Sequence, residues 1–595
     1  MNILKEGTSN SVLIYIGLFF VFLGVFVFSE ELIDPGISIK FLCGNLGLLL
    51  ILLSFFIKRK VLPWFSATVV WSILVYFVIC IVSVIVNDTN NYILAMSRLF
   101  SMLTFPLVVI GMMAAIRSVG LSSLFRIFNS ILVIVLLYSW YHMIFVLGGL
   151  NKATSYGLAS FFQHRNILGA FAILSLSMLT FFYYQIRNEI NRFHQVLVYI
   201  NVFSAVFFLI NLTSRAAWIG LFLYSITFLF HFFFNEKRLN PSKFFFVILS
   251  ISLLISFGYY FSNKPINIEH VAITDNSASQ SVEDRFLLWN KTVDIIKENP
   301  IVGVGLGNWI FHAGKTGWKN SQMSNGTVFF VRPHNDWLWV ASEVGILGGF
   351  LYILIFFLLI KDALIKSLVK KRINENIFLL VSLITYCLYS TVSFPSERYE
   401  IVFLLGLSVA LIYSTNKPVK ANVLKNSFAL FVLLVSVIAF SVNMYADVKT
   451  KDLQEAKVNS NFGSVALEID DLLKLNYYSD RFGMPIEWYK GNIFLEDKDF
   501  ENAEEHFWDA LDLAPYNAII YNDLGVVNWM QGDPKAESYF KKALFYSSNF
   551  QEVHLNLANY YYNKNDKKKS LYHLNRVTYP SLMVGRNKLI NLIKK

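Results

Sequence analysis

The chain has 595 residues, of which 55% are hydrophobic and only 15% are charged. This composition is too apolar for a set of soluble domains and is typical of a protein that crosses a membrane many times. The net charge of +11 does not indicate nucleic-acid binding, because the basic residues lie in short connections between apolar segments and form no soluble basic patch. The three cysteines, Cys43, Cys80 and Cys387, fall inside apolar segments. No disulfide framework is therefore expected.

Apolar runs of about 20 residues, the length that spans a bilayer, recur along residues 1–445. They predict about thirteen transmembrane helices, which begin near Ser11, Ile39, Ser66, Tyr92, Leu121, Gly157, Phe193, Ser214, Lys243, Trp337, Asn376, Arg398 and Asn426. The connections alternate in charge, since Lys58-Arg59-Lys60 is basic and residues 30–34 are acidic. Under the positive-inside rule the N-terminus is cytoplasmic, and residues 262–336 and the C-terminal part lie outside the cytoplasm.

Residues 262–336, which we call the large loop, are hydrophilic and separate the ninth and tenth predicted spans. Ser281-Val-Glu-Asp284 has the pattern of a capping box and predicts the start of an amphipathic helix that ends before Pro300. The apolar face of this helix is predicted to carry Phe286, Trp289, Val293 and Ile296. Such a helix is expected to lie on the membrane surface or to cover the helix bundle.

The segment Gly303-Val-Gly305-Leu-Gly307 follows this helix in the large loop. Alternating glycines are also found in nucleotide-binding loops, but those follow a strand and open a helix. No strand is predicted before this segment, so a flexible turn is the better interpretation.

From residue 446 the sequence becomes soluble and helix-forming. A pattern that begins Trp488-Tyr-Lys-Gly491 recurs as Tyr521-Asn-Asp-Leu-Gly525 and more weakly near Leu557. The period of about 33 to 34 residues is similar to that of tetratricopeptide repeats, in which helix pairs stack into a solenoid with a concave surface. Residues 446–595 are therefore predicted to form a second all-α domain, with an unrelated helical bundle as the alternative.

Polar groups at the ends of apolar spans are the candidates for function, because charges are costly at membrane depth. Arg98 lies in the fourth span, Gln163-His164-Arg165-Asn166 opens the sixth, and Arg215 begins the eighth. Arg285 lies in the first turn of the predicted loop helix, and His334-Asn335 lies where the large loop re-enters the membrane. For Arg215, snorkelling to lipid headgroups is the alternative.

These features together resemble the superfamily of O-antigen ligases, O-antigen polymerases and protein O-oligosaccharyltransferases. The resemblance covers roughly residues 156–349 and lies in the order and spacing of several short segments. These segments are Gln163-His164-Arg165-Asn166, Thr213-Ser214-Arg215, Asp284-Arg285, Trp289, Asn299-Pro300, Gly303 to Gly307, Pro333-His334-Asn335 and Glu343-Val-Gly345.

The resemblance implies an inverting glycosyltransferase that moves a glycan from undecaprenyl pyrophosphate to an acceptor hydroxyl at the outer face of the bacterial inner membrane. It assigns Arg215 and Arg285 to the pyrophosphate and His334 to the role of general base. Arg98 is expected to be a third phosphate contact. Further substrate contacts are expected from Gln163, Arg165, Asn166 and Asn335. Because arginines bind phosphate bidentately, no metal or other cofactor is expected.

The acceptor stays open between the lipid A core, another glycan and an exported protein. The extra C-terminal domain favours a large acceptor that needs docking, or a protein partner, over polymerisation of repeat units. Two interpretations outside the superfamily also stay open. One is a metal-dependent glycosyltransferase that uses Glu30, Glu31 and Asp34, and the other is a flippase for lipid-linked glycans.

Overall fold

The computed structural model describes residues 12–58, 65–87, 92–149, 160–162, 164–212, 214–235, 276–319, 322–326, 330–369, 372–414 and 423–594. Within these ranges the protein is helical, and its named strands are β1 (Leu368–Val369) and β2 (Arg372–Ile373), which pair antiparallel. The predicted all-α membrane architecture is confirmed at this level.

The helices fall into three groups along the chain. The first group contains α1 (Val12–Phe26), α2 (Ser38–Ile57), α3 (Ala67–Val86), α4 (Tyr92–Val119), α5 (Leu121–Tyr141), α6 (Arg165–Ile186), α7 (Arg192–Asn211) and α8 (Arg215–Asn235). The large loop contains α9 (Asn276–Glu298) and the short α10 (Trp309–His312), and the chain re-enters the bundle as α11 (Asp336–Ser367), α12 (Asn376–Ser390), α13 (Tyr399–Tyr413) and α14 (Val423–Asn459). The last group contains α15 (Ala466–Lys474), α16 (Ile486–Glu496), α17 (Phe500–Leu513), α18 (Ala518–Met530), α19 (Ala536–Tyr546), α20 (Gln551–Asn563), α21 (Lys567–Leu574) and α22 (Met583–Lys594).

Nine helices in the described part of the chain are long and apolar enough to cross a membrane, and α1, α12 and α13 are shorter apolar helices. These twelve helices correspond to twelve of the thirteen predicted spans. The span predicted near Lys243 lies outside the described residues, so the total of thirteen stays a prediction.

Helices α4, α6 and α13 form the centre of the bundle, whereas α3 lies at its periphery. Within lipid the hydrophobic effect does not favour association of apolar helices, so hydrogen bonds between helices help to stabilise their contacts. The Asn45 side chain on α2, for example, donates to Thr104 on α4 at 3.1 Å and to Ser436 on α14 at 2.8 Å. Buried amides thus fix the register of three helices.

The loop helix α9 differs from its prediction in two respects. It begins at Asn276, so Ser281 lies inside the helix and does not open it. Its buried face carries Leu288, Thr292 and Ile295, whereas Phe286, which was predicted to be on the packed face, is 57% exposed. The physical reason is a small hydrophobic core that the large loop forms with α11 and with the connection between α12 and α13. Its members are Leu288, Ile295, Val304, Trp309, Ala313, Trp318, Trp339 and Phe394.

The glycine segment of the large loop docks directly on α11. The Gly305 N–H donates to the Glu343 carbonyl oxygen at 2.9 Å. A Cβ on Gly303 would lie 2.3 Å from the Glu343 carbonyl carbon, and one on Gly345 would lie 2.1 Å from the Ile301 oxygen. Gly345 breaks the helical conformation inside α11 with a φ of +80°. The segment is therefore a turn held by backbone hydrogen bonds, which corrects the predicted flexibility.

Helices α15 to α22 form the C-terminal helical domain. Three helical hairpins, α16–α17, α18–α19 and α20–α21, follow one another, and the glycines in the first helices of two of them touch phenylalanines in the second. Gly491 packs against Phe507 in this way and Gly525 against Phe540. The hairpins agree with the predicted helix pairs, and their assignment to the tetratricopeptide family stays a prediction.

The large loop and the C-terminal helical domain lie on the same side of the bundle, because the Trp318 N–H donates to the Tyr546 carbonyl oxygen at 2.8 Å. The alternation of basic and acidic connections predicted this common side. Which side of the membrane it is stays a prediction.

Gly303→Ala should disturb the docked turn more than Gly148→Ala, a control at a similar φ. Gly303 has a φ of +68° and meets backbone atoms, whereas Gly148 has a φ of +71° and faces open space. Overpacking should cost Gly303→Ala about 1 to 3 kcal/mol beyond the backbone strain that both variants share. Thermal unfolding in detergent measures this, and equal losses in the two variants would contradict the docking.

Candidate active site

Two membrane helices begin with arginines at the end of the bundle that carries the large loop. Arg165 is the first residue of α6, and Arg215 is the first residue of α8. Arg285 on α9 is close enough to both arginines to be affected by their charges. Burial lowers the pKa of Arg285 below its ordinary value, and the positive charges of Arg165 and Arg215 lower it further. Within the described part of the chain, no carboxylate lies within ion-pair distance of Arg215 or Arg285. This local excess of positive charge favours binding of an anion.

The backbone at the starts of these helices adds to the positive potential. Unpaired N–H groups and the helix dipole make a helix N-terminus a site for anions. His164 caps α6, because its Nδ1 accepts a hydrogen bond from the Asn166 N–H at 3.2 Å. Asn335 caps α11, because its Oδ1 accepts from the Leu338 N–H at 3.1 Å.

These observations place Asn166 and Asn335 at helix starts in the candidate site, but their predicted substrate contacts, like that of Arg165, stay predictions. Gln163 lies outside the described residues, as does Thr213 of the Thr213-Ser214-Arg215 segment.

His334 lies next to α11 in a conformation that is unusual for a residue with a side chain. Its φ is +55°, and its ring meets that of Phe394 edge to face with 5.1 Å between centroids. Burial and then the positive charges of Arg285, Arg332 and His164 lower the pKa of His334 to about 3. The imidazole is therefore neutral near neutral pH and has a lone pair to accept a proton.

Phe394, which the sequence analysis did not identify, lies at the centre of the site. It is 3% exposed, and its ring contacts two histidines and two arginines. The His164 ring lies 5.6 Å away between centroids, and the guanidinium carbons of Arg332 and Arg398 lie 4.4 Å and 5.5 Å from the Phe394 centroid. Since a ring face attracts cations, Phe394 separates four groups that would otherwise repel one another when charged.

Arg332 and Arg398 each form an ion pair with an acidic residue. Arg332 forms an ion pair with Glu397, and Arg398 lies 3.7 Å from an Asp34 oxygen. Burial alone would raise the pKa of Asp34, but the charges of Arg398, Arg481 and Arg332 hold it below the ordinary value. The only sequence signal for this arrangement is the charged pair Glu397-Arg398 at the end of an apolar span.

Arg98 differs from Arg215 and Arg285 because carboxylates lie beside it. It is 5% exposed, and its nitrogens lie 3.5 Å from a Glu343 oxygen and 3.8 Å from a Glu397 oxygen. Its guanidinium carbon also lies 3.6 Å from the centroid of the Trp339 ring. These contacts account for its charge within the fold, and its role as a phosphate contact stays a prediction.

Two of the three acidic residues considered for a metal site, Glu31 and Asp34, have cationic partners. Asp34 pairs with Arg398, and a Glu31 oxygen lies 3.6 Å from Lys451 Nζ. In the described ranges, the group of three potential metal ligands is Glu487, His506 and Asp509, on α16 and α17. That group belongs to the C-terminal helical domain and not to the surroundings of His334.

Phe394→Ala should raise the pKa of His334 from about 3 toward its ordinary value of 6.5, because water enters where the ring excluded it. Histidine NMR in detergent measures this pKa, with His334→Asn to assign the signal. Phe330, whose centroid lies 6.3 Å from that of His334, provides the control: Phe330→Ala should change the pKa less. An unchanged pKa in Phe394→Ala would contradict the proposed shielding.

Comparison with known protein families agrees with the resemblance seen in the sequence. A family model described as O-antigen ligase matches residues 200–353. The matched range contains Arg215, Arg285 and His334-Asn335, whereas Arg98 and Gln163 to Asn166 lie outside it. A comparison with curated proteins gave no match.

The fold and the family match lead to the same coarse function. The described helices form a multi-pass membrane bundle, and the matched range contains the loop helix and the arginine and histidine side chains that converge with it. Residues 200–353 are therefore similar to O-antigen ligases, and within the membrane bundle this similarity supports a membrane glycan-transfer function of the ligase or polymerase type.

Proposed function

We propose that the protein transfers a glycan from a polyprenyl pyrophosphate carrier to an acceptor hydroxyl, with inversion at the anomeric carbon, at the outer face of the bacterial inner membrane. The observation that carries this proposal is the convergence of Arg165, Arg215 and Arg285 beside a neutral His334. This cluster lies at the end of an apolar bundle, where a lipid-linked anion can present its head while its chain stays in the bilayer.

The arginines bind the pyrophosphate of the donor. A guanidinium group offers parallel N–H donors that match two phosphate oxygens and keeps its charge at all relevant pH values. The N-termini of α6 and α8 add backbone donors and dipole charge at the same place. Together these groups stabilise the negative charge that develops on the leaving pyrophosphate, which is the main requirement of the reaction.

His334 accepts the proton of the acceptor hydroxyl. The hydroxyl oxygen forms a bond to the anomeric carbon as the bond from that carbon to the pyrophosphate oxygen breaks. The proton moves to an imidazole nitrogen, and the electron pair of the broken bond stays with the pyrophosphate. The bound pyrophosphate counteracts the positive charges that lower the pKa of His334, so the base becomes stronger when the donor is present.

The residues around His334 hold this arrangement in place. Phe394 fixes the orientation of the imidazole by edge-to-face contact, and Arg332 contacts the same ring. Glu397 binds Arg332 and also lies near the buried Arg98. The proposed base is thereby connected to the interior of the bundle, and among the described residues no acidic group contacts it directly.

The acceptor can be the lipid A core, another glycan or a protein. The preference for a large acceptor rested on a C-terminal domain with no other role. That domain contacts the large loop through Trp318 and Tyr546, so its presence no longer favours a ligase over a polymerase. Both assignments stay open within the proposal.

The metal-dependent alternative gains no support from the described residues, because Glu31 and Asp34 already neutralise Lys451 and Arg398. A flippase would need no general base and no leaving-group stabilisation. The neutral His334 beside the arginine cluster therefore favours bond formation over transport alone.

His334→Ala and Arg215→Ala should each lower the rate of glycan transfer about 100-fold or more, because each removes a group that acts in the transition state. Transfer from a purified lipid-linked donor in detergent measures the rate, with membrane insertion checked for every variant. His194→Ala, which changes a histidine in the first turn of α7, at the end of the bundle opposite the starts of α6 and α8, should keep the rate within about twofold. A wild-type rate in correctly inserted His334→Ala would exclude the proposed base.

Deletion of the gene in its host should distinguish the two types of transfer. Loss of a ligase leaves long glycan on the lipid carrier, whereas loss of a polymerase leaves single repeat units on the acceptor. Lipopolysaccharide and glycoproteins are compared by gel before and after deletion. An unchanged glycan pattern in every fraction would contradict both assignments.

A further inference from the structure

We infer that the C-terminal helical domain holds the large loop, and with it α9 and Arg285, in place over the candidate active site. Docking of the loop is a structural property that can be measured alone, and only its effect on transfer rests on the proposed function. The inference gives the domain a positioning role that does not depend on which acceptor the protein uses.

The first contact is a short stretch of backbone pairing. Trp318 of the large loop pairs with Ser547 as an isolated parallel β-bridge. The Trp318 N–H donates to the Tyr546 oxygen at 2.8 Å, and the Ser548 hydroxyl donates to the Trp318 oxygen at 3.2 Å. Backbone pairing of this kind fixes the position of the loop chain along the domain, not only its distance from it.

A second contact lies six to eight residues further along the loop, at residues 324–326. The Asn549 N–H donates to the Ser324 oxygen at 2.8 Å, and the Asn549 side-chain amide donates to Asn325 Oδ1 at 2.7 Å. A Cβ on Gly326 would lie 2.6 Å from the Phe550 ring. These domain residues belong to the connection between α19 and α20, so the loop binds an edge of the domain between two hairpins.

Side chains carry this attachment on to α9. Lys291 on α9 is buried, and its Nζ donates to Thr316 Oγ1 at 2.8 Å and to the Gly317 oxygen at 2.7 Å. The same Nζ lies 4.4 Å from the centroid of the Trp318 ring. Lys291 is less than two helical turns from Arg285 on one rigid helix. The loop segment that pairs with the domain is thus hydrogen-bonded to the helix that carries Arg285.

The domain also contacts the opposite side of the site. Arg481 forms an ion pair with Asp447 inside α14 and donates to Ser38 at the start of α2. Its charge also contributes to the lowered pKa of Asp34, the partner of Arg398. The domain is therefore anchored to the bundle independently of the loop, which allows it to act as a fixed support.

Gly317 provides a specific way to break the loop contact. It has a φ of +71°, and a Cβ there would lie 2.3 Å from the Phe545 carbonyl oxygen. Gly532, in the C-terminal helical domain, has a φ of +79° and faces open space. Gly532→Val therefore reproduces the backbone strain of Gly317→Val without a collision and is its matched control.

The experiment compares the full-length wild type, Gly317→Val and Gly532→Val in detergent by two measurements. Hydrogen exchange reports protection of the Trp318 amide and of α9, and an assay with lipid-linked donor reports transfer. A third variant adds Asn325→Cys and Asn549→Cys to Gly317→Val, and a short impermeant thiol crosslinker joins the two positions. The native cysteines lie within apolar helices α2, α3 and α12, away from this surface.

Gly317→Val should lose protection at Trp318 and in α9 and should transfer glycan about 10- to 100-fold more slowly, since small displacements of a positioned group have effects of this size. Gly532→Val should resemble the wild type, and crosslinking should restore both protection and transfer. Unchanged protection of α9 in Gly317→Val overturns the inference, and so does loss of that protection with a wild-type rate. A wild type that transfers no glycan contradicts the proposed function instead, and the exchange data still decide whether the domain holds α9.

Discussion

The carboxylate of Glu343 joins three separate parts of the protein. Its Oε1 accepts hydrogen bonds from Trp339 Nε1 at 2.7 Å and from the Gly307 N–H at 3.0 Å, and its Oε2 lies 3.5 Å from Arg98. A fully buried carboxylate is stable only when such partners compensate the loss of water. The kinked helix α11, the glycine turn of the large loop and the central helix α4 are thus connected through one side chain. The positions of α9 and His334, at the two ends of the loop, depend on this connection.

Five described arginines near the candidate site divide into two groups with different surroundings. Arg98, Arg332 and Arg398 lie beside carboxylates or an aromatic ring, so their charges are balanced within the fold. Arg215 and Arg285 have no such carboxylate among the described residues. Like charges held together cost free energy unless an anion joins them. The paired arginines therefore support the structure, and the unpaired ones are left for a ligand.

Features with a periodic or spaced signature were predictable from the sequence. Long apolar runs predicted twelve of the described helices, and the order and spacing of several short segments between residues 156 and 349 predicted the similarity to O-antigen ligases. The prediction of which face of α9 is buried was wrong, because the tryptophans that cover this helix come from other segments of the chain. Phe394 was missed because the sequence contains 56 phenylalanines, and nothing in the sequence around Phe394 shows which side chains it contacts in the fold. The carboxylate partner of Arg98 lies 245 residues away in the sequence, and no local pattern can reveal such a pair.

The backbone conformation of His334 is unfavourable for stability at a residue that the proposed function requires. Its φ of +55° costs a residue with a side chain about 1 to 2 kcal/mol, which glycine avoids and asparagine tolerates better. The residue that the proposed chemistry requires is thus not the one that the turn prefers. Laboratory selection for thermostability alone would be expected to replace this histidine with glycine or asparagine, whereas selection for glycan transfer would retain it.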